Sequence, residues 1–123
     1  MLHTNLRHVL SADEHEKLIA ENENVMVCCG RMGPMCIPVY AAMSELENEY
    51  EQVVFADMEF DIPAAAVIRN APECRGFMGL PFVVYYKNGE LVHATSSIQS
   101  KEQIAAILEK KLVKGEEVGK IPG

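Results

Sequence analysis

The chain has 123 residues, 49% of them hydrophobic and 24% charged, and its 11 Lys+Arg against 18 Asp+Glu leave a formal net charge of −7. That length holds one hydrophobic core, and the composition is that of a folded domain, which excludes a disordered tail. An acidic chain without a basic stripe is no nucleic-acid binder, and no apolar run approaches the ~20 residues that cross a bilayer.

The short stretch Leu6 to Leu10 predicts an edge strand. Ser11, with Glu14 three positions on, reads as a capping box that opens a helix running to about Asn22, with Leu18 and Ile19 facing inward. Val25 to Cys29 is continuously apolar and predicts a central buried strand. Gly30-Arg31-Met32-Gly33-Pro34-Met35 is a loop by its glycines and proline. A second helix is expected from Cys36 to about Tyr50, because Val39, Met43, Leu46 and Tyr50 recur at helical spacing. Pro38 is tolerated only in the first turn, which places Cys36 at the helix N-terminus. Val53 to Phe60 predicts a strand and Pro63 to about Asn70 a short helix. Arg75 to Leu80 is a loop, and Pro81 to Tyr86 a strand. Lys87-Asn88-Gly89-Glu90 is a hairpin turn signal, with Leu91 to Thr95 returning. Ser100 with Gln103 opens a last amphipathic helix to about Leu112. Residues 1–112 form the domain, and 113–123 carry no periodicity and read as a tail. The order βαβαβα followed by ββα predicts an α/β fold, a mixed sheet of about five strands flanked by about four helices.

The four cysteines are Cys28, Cys29, Cys36 and Cys74, and three of them fall within nine positions. The first residues lack the apolar core and cleavage site of a signal peptide, so reduced thiols in the cytoplasm are expected. There is no Cys-x-x-Cys and no His at zinc-ligand spacing, so no metal or other cofactor is called for. His3, His8, His15 and His93 are scattered and are expected to be exposed.

Most of the chain, from about Leu6 to Leu112, resembles the thioredoxin family. The most specific stretch is Gly76 to Glu90, in which Gly79-Leu80-Pro81 precedes a strand and then Lys87-Asn88-Gly89-Glu90. Val53 to Asp61 is similar to the family's central strand ending in an aspartate, and Glu47-Asn48-Glu49-Tyr50 to the end of its active-site helix. The resemblance implies thiol–disulfide exchange with a protein or peptide partner that carries a disulfide or thiol. It also implies a cis-proline at Pro81 and a thioredoxin-reductase-type electron donor. Neither nucleic acid nor membrane is implied.

The chain departs from the family at the active-site motif. Three registers are open. Matching Gly33-Pro34 to the family's Gly-Pro turns both redox cysteines into Met32 and Met35. Counting back from Tyr50 puts Cys36 on the second cysteine and Gly33 on the first. Reading the loop as an insertion makes Cys36 the nucleophile, with Val39 where its partner would be. Two registers keep Cys36 as a working thiol, and a helix N-terminus favours its thiolate. Cys29 is expected beneath the active-site helix as its disulfide partner, with Cys28 facing away and Cys74 approaching from the far side. The family's buried carboxylate has no counterpart on the strand Val25 to Cys29. Asp57 falls on the neighbouring strand where the family has a lysine, and is the candidate general base. Met32, Gly33, Pro34, Met35, Leu80 and Pro81 are the expected peptide-binding residues, and Ser97 alters the groove wall where the family often has glycine. One alternative is a redox-inactive peptide-binding module. Another is a Cu(I) protein, because Met32, Met35, Met78 and Cys36 supply soft sulfur ligands.

Overall fold

The computed structural model describes residues 2–113. Five strands, β1 (Arg7–His8), β2 (Asn24–Gly30), β3 (Val54–Glu59), β4 (Phe82–Lys87) and β5 (Glu90–Ser96), form one sheet in the order β1-β3-β2-β4-β5. β1, β3 and β2 are parallel, β4 runs antiparallel to β2, and β5 runs antiparallel to β4. The helices are α1 (Ala12–Glu21), α2 (Ile37–Leu46), α3 (Ala66–Arg69) and α4 (Lys101–Ile107), with 3-10 turns at Pro63–Ala65 and Pro72–Cys74. The chain continues past α4 through a π-helical turn, Leu108–Val113. The expected tail lies outside the described residues from 114 onward.

Local chemistry sets the element ends. Ser11 Oγ accepts the Glu14 amide at 3.1 Å, and the Glu14 carboxylate reaches back to the Leu10 N–H, one residue before the cap. Ser100 and Gln103 close a full reciprocal box on α4. Pro38 sits in the first turn of α2, where its missing N–H has no partner to lose. Asn88 at φ 52° and Gly89 at φ 83° turn the β4–β5 hairpin, as a two-residue type I′ connection requires.

Every residue of β2 is buried, because β3 and β4 flank it and helices cover both faces. One core packs Met26, Cys28, Phe55, Val83 and Tyr85 against α2, α4 and the π-turn. The other packs Val25, Val27, Cys29, Ala56 and Met58 with Leu18 of α1 and Ile68 of α3. This corrects the expected facing of two cysteines. Cys28, not Cys29, shares the core of α2, and Cys29 lies on the opposite face with Cys74. The pleat dictates it: Gly30 faces Cys36 and Tyr40 of the α2 layer, so Cys28, two residues earlier, shares that face. The histidines also need correction. Only His3 is exposed, His8 and His93 are half-buried, and His15 is buried with its ring edge-on to Tyr86 at 5.3 Å.

Candidate functional site

The site is built where β2 ends and α2 begins. Chain reversal here needs Gly30: a Cβ at that position would stand 2.8 Å from Cys36 Sγ, 2.8 Å from the Tyr40 hydroxyl and 3.0 Å from Pro81 Cβ. The absent side chain lets the thiol, the phenol and the proline ring converge on one point. Arg31 follows, and its guanidinium makes a two-pronged ion pair with Asp61, both contacts at 2.8 Å, while lying over the Phe60 ring. That fork holds the loop backbone in place. The Arg31 N–H donates to Cys36 Sγ at 3.4 Å, and the Arg31 carbonyl accepts the Tyr40 hydroxyl at 3.0 Å.

The Gly33 carbonyl accepts the amides of both Cys36, at 3.1 Å, and Ile37, at 3.0 Å, and so starts the first turn. From Cys36 the helix and its closing turn run to Tyr50, whose amide bonds to the Leu46 carbonyl. Cys36 is turned inward and is 2% exposed. Gly33 is half-buried, and a Cβ there would meet nothing within 4 Å. Met32, Met35 and Ile37 are exposed around the thiol.

The second wall is the loop before β4. The Leu80–Pro81 peptide is cis. Ser97, at φ 68°, sits in the left-handed region, a conformation that costs a non-glycine residue roughly 1–2 kcal/mol. Its N–H is shared between the Gly79 carbonyl at 3.2 Å and the Pro81 carbonyl at 3.1 Å, which ties β5 to the loop. Met78 on this loop is 96% exposed, and Ile98 is exposed just before α4.

Asp57 is fully buried on β3. It pairs across the sheet with Cys28 of β2 on one side and His8 of β1 on the other. Its carboxylate accepts the Thr4 hydroxyl and contacts His8 Nδ1 at 2.6 Å. His8, Asp57, Glu59, Leu2, Val9 and Leu10 line a cavity of about 270 Å³ at this edge.

The other thiols are chemically quiet. Burial pushes Cys28 well up, with the charges of Cys36, Cys29 and Asp57 adding to it. Burial pushes Cys29 up to about 12 against the opposing charge of Arg69, with Cys74, Asp61 and Cys36 adding to the rise. Burial also raises Cys74, helped by Glu73, and raises the Tyr40 phenol beyond its ordinary range. All four cysteines are free.

The structure thus brings Cys36, Tyr40 and Pro81 together at Gly30 and bonds Gly33 to the start of the helix, while Met32, Pro34 and Met35 are exposed on the loop, Leu80 is half-buried and Asp57 is buried on β3. It leaves Cys29 out. The sequence reading did not find Gly30, Arg31, Tyr40, Thr4 or His8; a glycine ending a buried strand was the one local signal of a close approach.

No family model and no curated protein matches the chain. Among solved structures it is similar to thioredoxin from Plasmodium falciparum, 23% identical at a TM-score of 0.72, over 86% of this chain and 99% of that one. Thioredoxin from Fasciola hepatica is 24% identical at a TM-score of 0.70, over 86% of this chain and 100% of that one. Mitochondrial thioredoxin 3 from Saccharomyces cerevisiae is 18% identical at a TM-score of 0.71, over 85% of this chain and 94% of that one. The strand order, the helix layers and these superpositions show one thing together: the chain has a thioredoxin-like fold.

Proposed function

We propose that the protein carries out thiol–disulfide exchange on a protein or peptide partner through the single thiol of Cys36. One observation carries the reading: Cys36 Sγ accepts the Arg31 N–H, and Sγ and the Pro81 ring both border the gap left by Gly30. A helix and a hydrogen-bonded closing turn that lead from Cys36 to Tyr50 without an insertion support the register with Cys36 as the second cysteine and Gly33 as the first. A partner disulfide would lie along Leu80-Pro81, between Met32, Gly33, Pro34 and Met35. The Cys36 thiolate attacks one partner sulfur, the partner S–S bond breaks, and the other sulfur leaves as a thiolate and takes a proton. The mixed disulfide at Cys36 is then resolved by a second, external thiol, which regenerates Cys36 and carries away the partner sulfur as a new disulfide. Asp57 serves as the proton acceptor for the thiol. The rim of flexible methionines suits an apolar peptide and must shift to admit it, because Cys36 is covered at rest. A cytoplasmic setting would keep all four thiols reduced.

A second reading has its own observation. Gly33 stands where the resemblance places the attacking cysteine, and Cys36 is 2% exposed. On that reading the groove binds peptides and does no chemistry. Insulin reduction with dithiothreitol separates the two. Exchange above background that disappears in Cys36→Ser supports the first; equal rates in both proteins support the second. Within the first reading, Asp57→Asn should slow exchange about a hundredfold while the protein stays folded, and an unchanged rate removes Asp57 from the mechanism.

A further inference from the structure

The α2 face of the sheet carries a row of side chains that an apolar core does not need. His8, Asp57 and Cys28 are direct register partners across β1, β3 and β2. In parallel strands such partners point to one face and sit about 4.8 Å apart. Cys28 shares its core with Cys36, and the Cys36 charge is the largest influence on Cys28 after burial. Tyr40 of α2 reaches the same region, since its hydroxyl and Cys36 Sγ would each stand 2.8 Å from a Cβ at Gly30. The row therefore begins at His8, which is partly exposed, and ends at the only cysteine on the rim.

We infer that His8 is a positioning residue for the thiol, linking the buried Asp57 carboxylate to solvent at the edge of the sheet. This deepens the exchange reading and rests on it for its role in turnover. The geometry supports a link with two ends. On the inner side, His8 Nδ1 is 2.6 Å from one Asp57 oxygen, while the Thr4 hydroxyl takes the other. The Leu6 N–H in turn donates to Thr4 Oγ1 at 3.1 Å, so the N-terminal segment fixes the carboxylate from outside the sheet. On the outer side, the His8 side chain keeps 24% of its surface and lines the cavity with Leu2, Val9, Leu10 and Glu59. The groups against Asp57 are Thr4 from the N-terminal segment, His8 from β1 and Cys28 from β2, and its charge also acts on the Tyr40 phenol of α2. Glu59 shares its cavity. No lysine or arginine is among them.

The proton balance is simple and moves no electrons. As the Cys36 S–H bond breaks, an O–H bond forms on Asp57, and the carboxylate becomes a carboxyl. At rest the neutral His8 ring donates its Nδ1–H to the carboxylate across 2.6 Å. The Asp57 carboxyl passes its proton to water in the cavity that both residues line, and the Nδ1–H bond to the carboxylate is restored.

The test uses the full chain and needs no partner. Cys36 is labelled with iodoacetamide across pH 5 to 9 and read peptide by peptide by mass spectrometry. His8→Asn keeps a donor near Asp57 but does not titrate. It should move the pH midpoint of Cys36 labelling by about one unit and slow insulin reduction about tenfold. A folded His8→Asn protein with the wild-type midpoint overturns the inference. In the unsubstituted chain the His8 ring is followed by NMR against pH, and its midpoint should differ from that in Cys36→Ser; identical midpoints also overturn it. If no Cys36-dependent reduction occurs while the labelling midpoint still moves, the exchange reading falls and the His8 link stands.

Discussion

The two faces of the sheet hold the same residue types to different ends. Cys28 and Cys29 are neighbours, both completely buried. On the α1 and α3 face, Cys29 and Cys74 sit among Val25, Val27, Met58, Ile68 and Tyr86. Those two thiols act as small hydrophobes. On the α2 and α4 face, Cys28 lies between a buried carboxylate and the thiol at the rim. A buried charge-bearing group is costly unless hydrogen-bonded, and Asp57 is bonded on both oxygens. One face is packed for stability, and the other keeps a polar row at some cost to it.

The largest effect that would sharpen the contrast is at Gly33. A side chain there enters open space, one turn before Cys36 in the chain. Gly33→Cys creates the Cys-x-x-Cys that the chain lacks, on a turn already set by the Gly33 carbonyl. The second thiol then resolves a mixed disulfide within the molecule, where effective concentrations greatly exceed those of a free thiol. Insulin reduction should rise by a factor on the order of 100 or more, and mass spectrometry of the oxidised protein should show a new disulfide to Cys36. An unchanged rate with Cys36 still free would mean that the rim does not admit a partner.

The next effect is at the convergence point. Gly30→Ala places a Cβ at 2.8 Å from Cys36 Sγ and from the Tyr40 hydroxyl, closer than real contacts allow. Overpacking of this kind costs about 1–3 kcal/mol. Chemical denaturation should show that loss, and Cys36 labelling should change with it. A stable protein with normal labelling would show that the thiol, the phenol and the proline ring do not need the glycine gap to converge.

These sites were legible in the sequence to different degrees. The frame was written locally: Ser11 and Ser100 cap, Pro38 starts a helix, and Asn88-Gly89 turns a hairpin. The facing of Cys28 and Cys29 was not, because β2 is buried on both sides and an apolar run carries no sign of which face is which. Asp57 stood out as an acid in a buried strand, but its partner did not. His8 is 49 positions away and meets it only through the pairing of β1 with β3. His15 was misread for a similar reason: α1 turns it onto Tyr86, and its neighbours Glu14 and Glu16 disguise an inward position.

His15 gives the smallest effect, and it belongs to the quiet face. The residue is 5% exposed, and its Nε2 has no hydrogen-bond partner. Burial lowers its pKa from the ordinary 6.5, because the charged form loses its water without gaining a partner. The unfolded chain therefore takes up this proton before the folded one as pH falls. Stability from His15 is complete above about 6.5 and is lost as pH drops from there towards the folded value. His93 on β5 is shifted the same way by partial burial and then by Lys111 and Lys110, but it is more open to solvent and contributes less. Urea unfolding at pH 7.5 and at pH 5.5 should show a drop in stability that shrinks in His15→Phe, which keeps a ring against Tyr86, and shrinks less in His93→Gln. Because the α1 face lacks the polar row, disulfide exchange in His15→Phe should follow the wild-type pH profile wherever both proteins are folded. A His15→Phe profile that departs from wild type would show that the two faces are coupled.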